Sequence, residues 1–271
     1  MDTASALPPD IYTRDYFLKS AGGYELYQLS RGNRLPPRQQ WAFELADPKA
    51  GETVLDMGCG RGEITYQCAK AGCKVIAVDF SQAAVEITKE TLQPLSASSQ
   101  TEVYQKDIGS FKFNKNYDLV FLLDVVEHLT TSQLQEFFSR MRPHLNSGAR
   151  IVIHTDNVYY ETCLFPLKRA LSLPFTIITR ISKAIRGKRK EYAWKAWFRR
   201  TFEVFPPRDL YETMHINLYT PSALKKFLQQ QFPQSRVEIV IRDNARNLVS
   251  KLLSCWWGKE LYAIIHIASI I

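Results

Sequence analysis

The chain has 271 residues, 45% apolar and 23% charged, a globular balance long enough for one large domain with a sizeable core. Five cysteines, an odd number with no CxxC spacing, exclude a disulfide framework and a zinc ribbon, so buried free thiols are expected. The net charge is +8 but unevenly spread: residues 161–215 hold twelve Lys and Arg against five acids, an asymmetry that speaks of a partner or substrate, not of the fold.

The opening "MDTASALPPD" lacks the basic-then-apolar pattern of a signal peptide, so the expected location is cytoplasmic. "YTRDYFLKSAGGYELYQLS" and "PPRQQWAFELA" have helical spacing, separated by a break from Gly32 to Pro37. "ETVLDMG" then reads as a buried strand, "RGEITYQCAKAG" as a helix closing on Gly72, and "CKVIAVDF" as a second strand. "SQAAVEITKETL" is a helix with Ser81 at its N-cap. "TEVYQKD" and "YDLVFLLD" are strands, "TSQLQEFFSRMRPHL" a helix and "ARIVIHTD" a fifth strand. Continuous apolar strands alternating with helices imply a doubly wound α/β domain with a mostly parallel sheet covered on both faces. The pattern stops after Asn157 and resumes with "TPSALKKFLQQQF", "RVEIVIRD" and "ELYAIIHIA". The expected organisation is an N-terminal helical cap over 1–50, a core over 51–157, a basic helical insertion over 158–215 and the rest of the core over 216–271.

"VLDMGCGRG" places Gly58, Gly60 and Gly62 between a strand and a helix, where glycine lets backbone approach a ligand. Asp79 closes the next strand, about twenty residues on, in position to accept from ribose hydroxyls. Strand, loop, helix, strand and acid together indicate a nucleoside-bearing cofactor. A dinucleotide dehydrogenase would space its glycines GxGxxG. Here the loop is GxGxG, and Asp56 precedes it, a carboxylate better suited to a cationic amino-acid group than to a pyrophosphate.

These residues resemble the class I S-adenosylmethionine-dependent methyltransferases, including the ubiquinone-biosynthesis O-methyltransferases. "VLDMGCGRG", "VIAVDFS", "YQKDI" and "YDLVFLLDVVEHL" are similar to that family's first four motifs, over residues 52–157. The resemblance implies a Rossmann-like methyltransferase fold and S-adenosylmethionine as cofactor. It places Asp56, Gly58, Cys59 and Gly60 around the amino-acid end, Asp79 at the ribose and Phe80 by the adenine. Asp107 and Ile108 would take the adenine edge, with Asp124 and Val125 near the methyl donor.

Asp124, Glu127 and His128 crowd the end of the fourth strand, and three readings stay open. If a helix begins there, the three share one face. The acids could simply satisfy a helix N-terminus. His128, oriented by a carboxylate, could be the general base for methyl transfer to a hydroxyl. Or DxxEH, similar to the ExxEH of small-RNA 2′-O-methyltransferases, could hold magnesium, manganese or zinc through Asp124, Glu127, His128 and the later His215. The candidate catalytic residues are thus His128, Asp124 and His215, whereas His154 reads as a satisfied core histidine. Tyr16, Tyr24, Tyr27 and Arg31 are the expected pocket residues of the N-terminal part.

"RISKAIRGKRKEYAWKAWFRR" mixes basic and aromatic residues and is read as the acceptor lid. It fits an anionic or lipid-linked small molecule, or peripheral membrane contact through 160–210. Nucleic acid ranks below these, since no RNA-binding module is appended. The expected activity is methyl transfer to a hydroxyl of a small or lipid-linked, anionic metabolite. The rivals are an RNA 2′-O-methyltransferase and a catalytically silent methyltransferase fold used for binding.

Overall fold

The computed structural model describes residues 11–95, 100–164, 215–242 and 258–268. Most of the expected insertion, with the basic aromatic stretch that carries the lid and membrane expectations, lies outside the described residues.

The strands are β1 (Thr53–Met57), β2 (Lys74–Asp79), β3 (Thr101–Gln105), β4 (Tyr117–Leu123), β5 (Leu145–Asp156), β6 (Arg236–Arg242) and β7 (Glu260–His266). They form one sheet in the order β3-β2-β1-β4-β5-β7-β6. Neighbours pair in parallel from β3 to β5, and β7 runs antiparallel to both β5 and β6. The helices are α1 (Tyr24–Ser30), α2 (Pro37–Ala46), α3 (Glu63–Lys70), α4 (Gln82–Leu92), α5 (Thr131–Met141) and α6 (Pro221–Gln231).

Central strands are apolar at successive positions because successive side chains feed opposite faces. In β4, Leu119 and Phe121 join a cluster with Ala42, Ala46, Ile64 and Cys68 of α2 and α3. Val120 and Leu122 join the other cluster, with Phe137 and Phe138 of α5 and Leu224 and Phe227 of α6. The ends are set locally: Ser81 caps α4 through Ala84 N–H, and Thr130 with Gln133 makes a capping box on α5. Gly72, at φ 87°, follows α3 as expected.

Two elements depart from the expectation. The N-terminal helical stretch splits into a π-helical turn (Tyr16–Ser20) and α1, because Gly23 at φ 84° breaks the helix between them. Nor does a helix begin at Asp124. That residue lies at φ 56° and only a 3₁₀ turn, Val126–His128, follows. Of the four described cysteines, Cys59, Cys68 and Cys73 are buried as expected, whereas Cys163 is exposed.

The strand order reverses between β1 and β4, so helices leave their carboxyl ends toward opposite faces. That switch point opens the crevice in which α/β sheets bind ligands. β1 delivers Gly58 to it and β4 delivers Asp124.

Candidate active site

The glycine loop leaves β1 through two backbone bonds, from Gly58 N–H and Cys59 N–H to the Val78 carbonyl at 2.7 and 3.1 Å. Gly58 sits at φ 82° directly against the Val125 side chain, so there is no space for a Cβ. Asp79, buried at the end of β2, accepts from Gly60 N–H at 3.0 Å and Ser81 N–H at 2.9 Å, which holds it against the loop. Burial raises its carboxyl above the ordinary range, against these backbone donors. Asp56 accepts from the Thr65 hydroxyl at 2.5 Å. Burial pushes Asp56 up to about 6 despite that bond, and the Asp79 charge adds to the rise. Two buried carboxyls at the head of one crevice suit a cationic ligand.

At the end of β4 Asp124 sits in a left-handed turn, at φ 56°. One carboxylate oxygen meets His154 Nδ1 at 2.5 Å and the other Arg38 Nη2 at 2.8 Å. His154 Nε2 faces Glu260 at 2.7 Å, so the imidazole bridges two carboxylates from β4 and β7. Burial disfavours the charged form of each partner. The ion pairs outweigh it, holding the Asp124 carboxyl well below its usual range and lifting His154 to about 10. His154 is a satisfied core histidine, and a charged one. Both Asp124 oxygens are thus engaged, and the structure does not group Asp124 with the other three expected ligands.

Glu127, His128 and His215 do come together. Ile216 and Asn217 N–H donate to the Glu127 carbonyl at 2.8 and 3.1 Å, pinning the segment after the insertion to the 3₁₀ turn. The His128 and His215 rings lie 5.1 Å apart. One donor atom from each of the three residues lies within 4.8 Å of the others, the spacing of a cation site. Glu127 is 2% exposed, and its Oε2 has no hydrogen-bond partner. Burial, then the nearby Asp124 charge, raises its carboxyl to about 8. Burial and His128 lower His215 to about 4, which keeps that imidazole neutral, the ligating form.

One pocket of about 380 Å³ joins these parts. Its wall includes Asp56, Gly58, Cys59, Gly60, Asp79, Phe80, Asp107, Ile108, Asp124 and Val125, and also Glu127, His128 and His215. Asp107 is fixed by the Gly109 N–H at 2.7 Å. Of the N-terminal candidates, Tyr16 lines the pocket. Tyr24, Tyr27 and Arg31 do not: Tyr27 is buried with its hydroxyl 2.8 Å from Thr91 Oγ1.

Residues 54–148 match the family model described as a methyltransferase domain. They form a class I S-adenosylmethionine-dependent methyltransferase domain. The mitochondrial ubiquinone biosynthesis O-methyltransferase of Schizosaccharomyces pombe is 27% identical over 136 residues, 49% of this chain and 48% of that protein. Pavine N-methyltransferase of Thalictrum flavum subsp. glaucum is 31% identical over 93 residues, 34% of this chain and 26% of that protein. The chain thus matches about half of the one relative's length and a quarter of the other's. Among solved structures, magnesium protoporphyrin IX methyltransferase of Synechocystis PCC 6803 shares the fold, with a TM-score of 0.54 and 15% identity over 96% of this chain and 100% of that one.

The pocket also brings in residues that the sequence reading passed over. Arg38 reaches Asp124 from α2, Asp156 ends β5 at the pocket wall, and Tyr12 and Phe17 close the wall from the N-terminal side. Only Asp156 had a legible signal, an acid at the carboxyl end of a strand. Arg61, inside the quoted glycine motif, lines the pocket too. No helix among the described residues is long and apolar enough to cross a membrane.

Proposed function

We propose that the chain transfers a methyl group from S-adenosylmethionine to an oxygen of a small or lipid-linked acceptor. The observation that carries this reading is the single pocket running from Asp79 and the glycine loop to Glu127, His128 and His215. The residues fit the cofactor: Asp56 and Asp79 are buried carboxyls raised by desolvation, and a sulfonium with an ammonium group nearby would favour their charged form. Bound, the cofactor supplies an electrophilic methyl group. Asp79 would hold ribose hydroxyls, the glycine loop would take backbone contact, and Phe80 with Ile108 would lie by the adenine.

At the other end a divalent cation fits Glu127, His128 and His215, by their spacing, the unpartnered Glu127 Oε2 and the neutral His215. When bound it would polarise an acceptor hydroxyl. Without it, His128 at the same wall is the candidate base for the departing proton. The engaged state of Asp124 supports the three-residue set over the four-residue one. A lipid-linked or anionic acceptor, and contact with a membrane surface, rest on the basic residues of 160–210, and liposome flotation of the full chain tests the surface part.

Differential scanning tests the cofactor. S-adenosylhomocysteine at a hundred times its Kd should stabilise the protein by about 2.7 kcal/mol, with no shift from NAD. No response to S-adenosylhomocysteine sinks the reading. Chelation should then remove transfer to hydroxylated acceptors while leaving that shift intact, and chelator-insensitive turnover overturns the cation site.

A further inference from the structure

Residues 12–22 line one side of the pocket as a strap, anchored by Ser81 beside Asp79 and by Arg61 of the glycine loop. At one end the Ser81 hydroxyl donates to the Tyr12 carbonyl at 2.7 Å, while Ser81 N–H bonds Asp79. At the other end stands Arg61, in the glycine loop and 4% exposed. Its Nη1 donates to the Phe17 and Ala21 carbonyls at 3.0 and 3.3 Å, and Nη2 to the Gly22 carbonyl at 2.8 Å. Nε and Nη2 also reach Glu63, at 3.2 and 3.1 Å, and the guanidinium lies 5.4 Å from the Tyr27 ring centroid. The full donor fork is used, three of its bonds on strap backbone. Between the anchors, the Tyr12 ring lies 5.1 Å from Phe80 and 6.0 Å from His128. Tyr12 therefore touches the cofactor half with one side and the acceptor cluster with the other.

We infer that Arg61 is a positioning residue: from the cofactor loop it sets the strap that places Tyr12 and Tyr16 as the acceptor wall. The physical reason is that the chain between the Tyr16–Ser20 turn and α1 leaves carbonyls that regular helix bonding does not satisfy: Arg61 takes those of Phe17 and Gly22 and shares Ala21's with Tyr24 N–H. A guanidinium fork meets all three while Glu63 balances its charge, and a point-charge ammonium cannot. Because the same loop receives the cofactor, loop occupancy and strap order are linked, and each strengthens the other by one factor. The strap's anchoring does not depend on what the pocket binds, and its link to catalysis rests on the methyltransferase reading.

Hydrogen exchange on the full chain tests this, with S-adenosylhomocysteine as the probe. In the unsubstituted protein the probe should slow exchange of the 12–22 amides. Arg61→Lys should speed strap exchange about tenfold and weaken probe binding by the same factor, with β1, β2 and β4 exchanging as before. If Arg61→Lys fails to fold, the double variant Arg61→Gln/Glu63→Gln removes the buried charge pair together and should show the same two effects. A strap as protected as in the unsubstituted protein overturns the proposal. So does faster exchange spread through the central strands, or a loosened strap with unchanged probe affinity. Should the unsubstituted protein not bind the probe at all, the methyltransferase reading falls, while local loosening of the strap in the variant still supports Arg61 as its anchor.

Discussion

His154 Nδ1 stands 2.5 Å from Asp124 Oδ1, so the strand-end acid is bound into the core before it reaches the acceptor side. Arg38 holds its other oxygen at 2.8 Å. A carboxylate that looks like a ligand in "DVVEH" instead locks β4 to β5 and α2, and through His154 to Glu260 of β7.

That lock should appear in stability against pH. His154 binds its proton more tightly folded, at about 10, than unfolded, at about 6.5. Its contribution is therefore complete below about pH 6.5 and lost as pH rises toward 10. Urea melts between pH 7 and 9.5 should show falling stability. His154→Gln should reduce that slope and be about 3–5 kcal/mol less stable at pH 7, since the buried Glu260 loses its partner and Asp124 keeps only Arg38. A pH-independent difference between the two proteins counts against a charged His154.

Glu127 should be a case where function opposes stability. Its carboxyl is raised to about 8, so it favours folding below its unfolded value of about 4.3 and ceases to as pH rises through 8. Glu127→Gln should stabilise the metal-free protein above pH 8 by about 1 kcal/mol or more, and abolish Mn²⁺ binding measured by calorimetry. A variant that is both less stable there and still binds Mn²⁺ contradicts both halves.

Asp124→Asn and His215→Ala should separate the two candidate ligand sets. Asp124→Asn leaves Glu127, His128 and His215 in place, so Mn²⁺ affinity should hold even as the melting temperature drops. His215→Ala should weaken Mn²⁺ binding tenfold or more, on the order seen for disrupted metal shells. Equal loss in both variants would return Asp124 to the ligand set.

Gly58→Ala should damage the loop itself. The new Cβ would run into Val125 at a left-handed φ, a combination worth about 1–3 kcal/mol of stability. The cost should come with loss of S-adenosylhomocysteine binding in the same sample. Gly51, also at positive φ but with nothing within 4 Å, is the control: Gly51→Ala should pay backbone strain alone and bind normally.

The sequence by itself determined the sheet, the glycine loop and the closing acids. Those signals are local: apolar runs of strand length in β1, β2 and β4, glycines at the strand-to-helix turn, Asp79 at the next strand end. Each is dictated by backbone geometry or by burial on two faces, and neither needs a distant partner. Tertiary structure alone decided what Asp124 does. Its fate depends on a left-handed turn and on Arg38, His154 and Glu260, which lie up to 136 positions away in sequence and carry no periodic or motif signal. The same holds for His215, brought to Glu127 by two backbone bonds, and for Arg61, legible as part of a motif but not as the anchor of residues 17–22. Ion pairs and forked hydrogen bonds are specified by where chains meet, and only the folded chain brings those places together.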